Sequence, residues 1–211
     1  MATFGNIAEP TETGHTASAI VHGSIFTLTE AADIVKITVH HFRRETPMVA
    51  QCNIYMVDEN GNPYGPPLGA TEEATVEVTE GYQDFYYATP LHLEPGKYFP
   101  CIGVPVAEPT TNHYEYGRNP GEVGQSRYYY WTYGVWADPF LAGQPASDYV
   151  YCMYVTYIPT AAVMHNVSVE SSPVIGVPVI IDGEDAGVTP TGPVSVEEGS
   201  HTIAVPSEVE T

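Results

Sequence analysis

Ile34-Val35-Lys36-Ile37-Thr38-Val39-His40 is the stretch whose reading decides the fold. β-Branched apolar residues alternate along it with polar ones. Successive side chains of a strand point to opposite faces, so the run predicts a half-buried strand. Upstream, Ser24-Ile25-Phe26-Thr27-Leu28-Thr29 alternates in the same way. Downstream, residues 51–57 form a third such run, closed by Asp58-Glu59-Asn60-Gly61-Asn62-Pro63. Asn-Gly is a strong hairpin signal because both residues tolerate positive φ. Further strands read at residues 75–79, 82–88, 97–104, 127–133 and 149–157, with Gly81, the segment 90–96 and Pro105 to Pro109 as punctuation. No stretch sustains the helical spacing i, i+3, i+4, i+7. Short strands at this spacing predict an all-β chain: an antiparallel β-sandwich of two sheets, jelly-roll-like.

The pattern breaks near Pro159-Thr160-Ala161-Ala162 and restarts at Asn166-Val167-Ser168-Val169-Glu170, so the sandwich is expected over residues 1–160 and a small β-domain over 161–211. In that second part stand Ser172-Pro173, Gly176, residues 177–181, Asp182-Gly183, Gly187 and Thr189-Pro190. Val194 and Val196, then Gly199, then His201, Ile203 and Val205 complete the series. This series resembles the PEGA domain family over about 45 residues. The resemblance implies an accessory β-domain of a surface-associated protein, with no catalytic residues attached. The departure is Val177-Pro178, where the family often has a small residue and no Pro. A Pro there blocks a ladder bond, so this strand is expected at an edge or bulged. In the first part, Phe26-Thr27-Leu28-Thr29 leading to Val35-Lys36-Ile37-Thr38 is loosely similar to β-sandwich modules of microbial and viral surface proteins. Thr89-Pro90-Leu91-His92-Leu93-Glu94-Pro95-Gly96-Lys97-Tyr98 carries the same loose likeness. There a strand is expected to end at Pro90, two Leu to pack inward and Pro95-Gly96 to turn.

Of the 211 residues 43% are hydrophobic, enough for a folded core, and only 15% are charged. The charge is one-sided: 26 Asp and Glu against 6 Lys and Arg, net −20, with Arg127 the last basic residue. Such a surface repels phosphate backbones and anionic membranes and favours cations or basic partners, which argues against nucleic acid. Adaptation to high salt explains the same bias. No apolar run reaches 18 residues, so no membrane insertion is expected. Residues 1–13 show no apolar signal region. The expectation is therefore either a removed signal or a protein that reaches its site without secretion, as virion proteins do. Cys52, Cys101 and Cys152 lie in strand-like runs without CxxC spacing, which reads as buried free thiols. A disulfide between two neighbouring strands stays open at this point.

Residues 113–140 concentrate aromatic residues among Gly and Pro, and residues 108–125 read as a long loop, a feature more often functional than idle. Tyr114, Tyr116, Tyr128, Tyr130, Trp131 and Trp136 are the candidate partner- or glycan-binding aromatics, because rigid rings with a polar tip suit both. Alternate members of residues 128–133 must face opposite ways on a strand, so half of them could equally be core.

Glu72-Glu73 are neighbours and cannot flank one bond. Asp58, Asn60 and Asn62 start like a calcium loop, but Gly61 is misplaced and the twelfth position has no Glu. His40-His41 lack a third ligand, and His201 is a lone His on a strand. No catalytic residue, metal ligand or cofactor is assigned. Asn166-Val167-Ser168 is a glycosylation sequon that also fits a plain strand start. The expected function is that of a non-enzymatic structural or display protein, most concretely a virion component such as a capsid decoration, fibre or tail protein. It would act by assembly with copies of itself, as a homo-oligomer, or with other assembly proteins. The alternatives are a carbohydrate-binding module and a secreted cell-surface or filament subunit.

Overall fold

A computed structural model describes residues 1–16, 19–42, 47–105, 114–130, 132, 134–140, 146–160, 164–171, 176–197 and 200–205. The chain divides into two compact units, Met1–Thr160 and Ala161–Thr211. The first carries β1 (Ala2–Gly5), β2 (Glu12–Thr16), β3 (Ile20–Ser24), β4 (Phe26–Leu28) and β5 (Ala32–His41). It continues with β6 (Met48–Val57), β7 (Pro63–Ala70), β8 (Ala74–Val76), β9 (Gly81–Leu93) and β10 (Gly96–Val104). Its last strands are β11 (Tyr114–Pro120), β12 (Ser126–Tyr130), β13 (Ala146–Ser147), β14 (Tyr149–Tyr151) and β15 (Met153–Pro159). The second unit carries β16 (Met164–Val167), β17 (Pro178–Ile181), β18 (Glu184–Val188), β19 (Val194–Glu197) and β20 (Ile203–Ala204). Among the described residues there is no helix, hence none that crosses a membrane.

The first unit is a sandwich of two antiparallel sheets. One has seven strands in the order β1-β15-β5-β11-β14, with β2 on β11 and β9 on β5. The other has eight, in the order β13-β12-β3-β10-β6-β7, with β4 on β10 and β8 on the start of β6. Period-two patterning sets the core between them. Ile37, Val39, Phe85, Met153 and Val155 from one sheet meet Leu28, Cys52, Ile54, Ile102 and Val104 from the other. Each such side chain withdrawn from water contributes roughly 1.5–3 kcal/mol. β5 shifts register between Ile34 and Lys36 against both β9 and β15. The extra residue, Val35, lets both Ile34 and Ile37 face inward despite their odd spacing.

Several expectations change. β9 does not stop at Pro90 but runs to Leu93: Leu91 pairs with Ile34 and Tyr86 with Lys36, so Pro90 sits in the register shift, where no ladder donor is needed. The expected long loop at 108–125 is in part strand β11, which pairs with β2 and β14; residues 108–113 lie outside the described residues. The strand expected at 149–157 is broken at Cys152, whose N–H donates to the Gly117 carbonyl. The expected run 24–29 is divided between β3 and β4. The expected strand 75–79 is only β8, and 127–133 ends at Tyr130, with Trp131 and Tyr133 outside the described residues.

Cys52, Cys101 and Cys152 are buried free thiols. Cys52 and Cys101 lie on adjacent strands, yet Cys52 faces the inter-sheet core and Cys101 the opposite side, so no bridge joins them.

The second unit holds a two-stranded sheet, β16-β19, and a three-stranded one, β18-β17-β20. Asp182 (φ 53°) and Gly183 (φ 87°) make the tight turn between β17 and β18. β17 lies centrally and shifts register between Val179 and Ile180, with Pro178 exposed at its start. Val179, Ile181 and Val196 form its core. The buried Thr189 and Thr191 hydroxyls accept the Val177 and Val169 N–H groups. Ser172, Pro173 and Gly199 lie outside the described residues.

Candidate functional site

The aromatic residues singled out in the sequence do not share one surface. Tyr114, only 1% exposed, and Tyr116 are buried on β11, held there by its pairing with β2. Gly14, opposite Tyr116, has no Cβ because one would sit 2.1 Å from the Tyr116 ring. With Tyr151 these rings surround His22, at centroid distances of 5.7 Å (Tyr114), 4.5 Å (Tyr116) and 4.5 Å (Tyr151). Both His22 ring nitrogens lack a hydrogen-bond partner, and burial pushes its pKa down to about 3, so the ring is neutral. Tyr114 and Tyr116 are thus core residues. A ring enclosed between two sheets offers no area to a partner.

Tyr129 belongs to a second apolar cluster on the outside of the eight-stranded sheet, with Val21, Tyr55, Phe99, Cys101 and Phe140. Residues 134–140 lie across this face. Phe140 packs edge-on against Tyr55 (5.0 Å), Phe99 (5.4 Å) and Tyr129 (5.2 Å). The Tyr55 hydroxyl donates to the Ala137 carbonyl, the Phe140 N–H to the Gly65 carbonyl, and Trp136 Nε1 to Gln51 Oε1 at 2.9 Å. Trp136 is half-buried in this arrangement, and Tyr128 is half-buried against the main core. Tyr130, 70% exposed, stands against Tyr128 with ring centroids 6.4 Å apart. Trp131 lies outside the described residues, and the exposed row expected of a carbohydrate platform at 128–136 does not form among those described.

A surface that sequence reasoning missed lies on the outside of the seven-stranded sheet. Pairing of β9, β5 and β15 places Asp84, Thr38 and Tyr154 in one row and Tyr86, Lys36 and Thr156 in the next. Lys36 Nζ reaches Asp84 Oδ2 at 2.6 Å, the Thr38 hydroxyl donates to Oδ1 at 2.6 Å, and the Tyr86 hydroxyl donates to Oδ2 at 3.1 Å. Partial burial pushes the Asp84 carboxyl up, but the bonds from Lys36 and Thr38 outweigh it and hold the group below its ordinary value. Tyr86 is 50% and Tyr82 37% exposed. The alternations Lys36-x-Thr38 and Tyr82-x-Asp84-x-Tyr86 were visible; that β5 and β9 lie side by side was not.

At one end of this face lie His40 and Cys152, both buried. Asn6 Nδ2 and Asn119 Nδ2 point at Cys152 Sγ from 3.6 and 3.4 Å. Burial first, and Glu9 second, raise the Cys152 pKa to about 11, and burial lowers that of His40. Thiol and imidazole are therefore both neutral near pH 7. His41 is buried too, and no group of three potential metal ligands occurs among the described residues. Glu72 and Glu73 are exposed. The Thr202 N–H first, and the His201 ring second with its Nδ1 2.5 Å from Oδ2, hold the Asp182 carboxyl below its ordinary value.

The Asp58–Asn62 turn is internally bonded: Asp58 Oδ1 accepts the Asn60 and Asn62 N–H groups. The Arg127 guanidinium takes the Gly61 carbonyl (3.1 Å) and Asn62 Oδ1 (3.4 Å), and bonds also to the Gly124 and Ser126 carbonyls. Arg127 thereby ties two loops together beside a cleft of about 620 Å³, to which Lys97 and Glu122 also contribute. Searched against protein-family models, curated proteins and solved structures, the chain matches none.

Proposed function

We propose that the protein is a non-enzymatic structural or display component, most concretely of a virion surface, as a capsid decoration, fibre or tail protein. Its place is a virion or cell surface, and it acts by assembly with copies of itself or with other assembly proteins. The observation that carries this reading is the outer face of the seven-stranded sheet, where Tyr82 and Tyr86 stand half-exposed on a hydrogen-bonded ladder around the Lys36–Asp84 pair. Rings with polar tips on a rigid support are interface chemistry: they bury large area with little loss of side-chain freedom. The net charge of −20 favours a partner surface of basic character.

The finer assignments belong to the same reading. A jelly-roll version of the sandwich is supported by the pairing of β1 with β15, the first and last strands of the unit, and by neighbours distant in the chain within both sheets. A PEGA-like second unit is supported by the Asp182-Gly183 hairpin followed by Thr189-Pro190. Mass spectrometry of purified particles and surface fractions from the source is the test. The chain should copurify with them, and a double variant Tyr82→Ala, Tyr86→Ala should be depleted. Absence from every particle and surface fraction rejects the reading.

A second reading, a carbohydrate-binding module, is favoured by one specific observation: the mixed polar lining of the cleft beside Arg127.

A further inference from the structure

We propose that this cleft binds an uncharged saccharide of one or two rings. The proposal rests on the second reading and moves its site from the aromatic segment at 128–136 to the space between β4, the Asp58–Asn62 turn and the loop at 121–125.

The walls are built before any ligand arrives. One is the 58–62 turn, closed by Asp58 N–H to the Asn62 carbonyl and Gly61 N–H to the Asp58 carbonyl. The other is closed by Gln125 N–H to the Glu122 carbonyl and Glu122 N–H to Gln125 Oε1, and is anchored by Gly121 and Gly124 N–H to the Asp148 and Ser147 carbonyls. Arg127, 8% exposed, clamps both walls through carbonyl oxygens. A site held this way spends little binding free energy on ordering its loops.

The backbone of the walls is largely hydrogen-bonded within itself, and four solvent-exposed polar side chains of the lining are left for a ligand in place of water. Thr27, Asn60, Lys97 and Glu122 have neither a hydrogen bond nor an ion pair from their side chains among the described residues. Together they offer a hydroxyl, an amide, an ammonium and a carboxylate. That set matches a ligand carrying many hydroxyls, each able to donate and to accept. It matches a charged ligand poorly. An anion meets Glu122 and the field of a chain with net charge −20; a cation meets Lys97 and Arg127. Ile25 and the half-buried Phe26 supply apolar area for the C–H face of a sugar ring. The volume, about 620 Å³, falls inside the range of roughly 300–1,000 Å³ typical of small-molecule sites.

Saturation-transfer NMR on the full chain tests this with a panel of probes. The panel holds glucose, galactose, mannose and N-acetylglucosamine with their disaccharides, and glucuronate and inorganic phosphate as charged arms. At least one neutral sugar should receive transfer. Lys97→Ala combined with Glu122→Gln, both surface changes, should weaken that sugar about tenfold or more, the loss of one or two charge-assisted hydrogen bonds. Tyr130→Ala should leave it unchanged. Transfer only to glucuronate or phosphate overturns the uncharged class. A sugar that binds the double variant as well as the parent, or is lost in Tyr130→Ala, overturns the cleft while leaving the carbohydrate reading in place. No transfer to any sugar overturns both.

Discussion

The two outer faces of the sandwich are made by strands of the same kind and end up opposite in character. On the eight-stranded sheet, Val21, Tyr55, Phe99, Cys101 and Tyr129 are sealed under residues 136–140, and Phe140 completes a dry aromatic cluster. On the seven-stranded sheet the corresponding outward positions are Lys36, Thr38, Asp84 and Tyr86, bonded to one another at the surface. The difference teaches that a strand's outward alternation does not by itself mean a wet face: a segment returning over the sheet converts it into a second core. Of the aromatic segment, only Tyr129, Trp136 and Phe140 belong to the covered face, while Tyr114, Tyr116 and Tyr128 pack in or against the inter-sheet core; the open face keeps Tyr82 and Tyr86 reachable.

The comparison breaks most visibly at Phe140. If the covered face is a core, Phe140→Ala removes a ring in contact with three others and should cost about 3–5 kcal/mol in chemical denaturation. A cost under about 1 kcal/mol would mean that the segment rests on the sheet without stabilising it.

The next effect lies between the two sheets. The folded chain holds His22 neutral with a pKa of about 3, against 6.5 when unfolded. Below pH 6.5 the unfolded chain takes up a proton that the folded one refuses, so stability falls as the pH drops from about 6.5 toward 3 and is unaffected by this group above that window. The slope approaches but does not exceed about 1.4 kcal/mol per pH unit. Denaturant titrations at several pH values should show His22→Phe losing this part of the slope. Parallel curves for parent and variant would show that the ring is not excluded from water.

What the sequence disclosed and what it hid follow one physical line. β5, β6 and β10 were legible because they are central, apolar on at least one face and rich in β-branched or aromatic residues. The Asp58–Asn62 and Asp182-Gly183 turns were legible because positive φ is a local demand, met at Gly61, Asp182 and Gly183. Glu12–Thr16, Pro63–Ala70 and Tyr114–Pro120 gave no strand signal, since their extended form comes from pairing with β11, β6 and β2 and not from their own propensity. Pro66 and Pro67 are tolerated on β7 because it lies at a sheet edge and its register shifts opposite Tyr55. The candidate surface was hidden for the same reason. Asp84 and Lys36 are 48 residues apart, and only the ladder brings them to 2.6 Å.

On the open face the expected energies are smaller. Asp84→Asn removes the charge that Lys36 and Thr38 satisfy; for a pair this exposed the cost should be about 0.2–1 kcal/mol, read as a small shift of the denaturation midpoint. Its pH dependence has a definite sign. The folded carboxyl sits below its ordinary value of 3.8, so its contribution is present above that pH and lost as the pH falls through the folded pKa. A cost above about 2 kcal/mol would place Asp84 in a buried network and remove the contrast with the covered face.

The smallest expected change in stability is the one that separates support from recognition. Tyr86 is half-exposed; its ring lies 5.6 Å from Lys36 Nζ and its hydroxyl on Asp84, so truncation gives up one cation–π contact and one surface hydrogen bond. Tyr86→Ala should therefore stay within about 0.5 kcal/mol of the parent in denaturation. If the open face is where a partner docks, the same variant should be depleted from assembled particles, since buried aromatic anchors carry an outsized share of interface energy. Unchanged stability with unchanged incorporation would take the ring out of any interface. A large loss of stability would show that this face, like the other, is held by its aromatic residues and has no surplus to offer a partner.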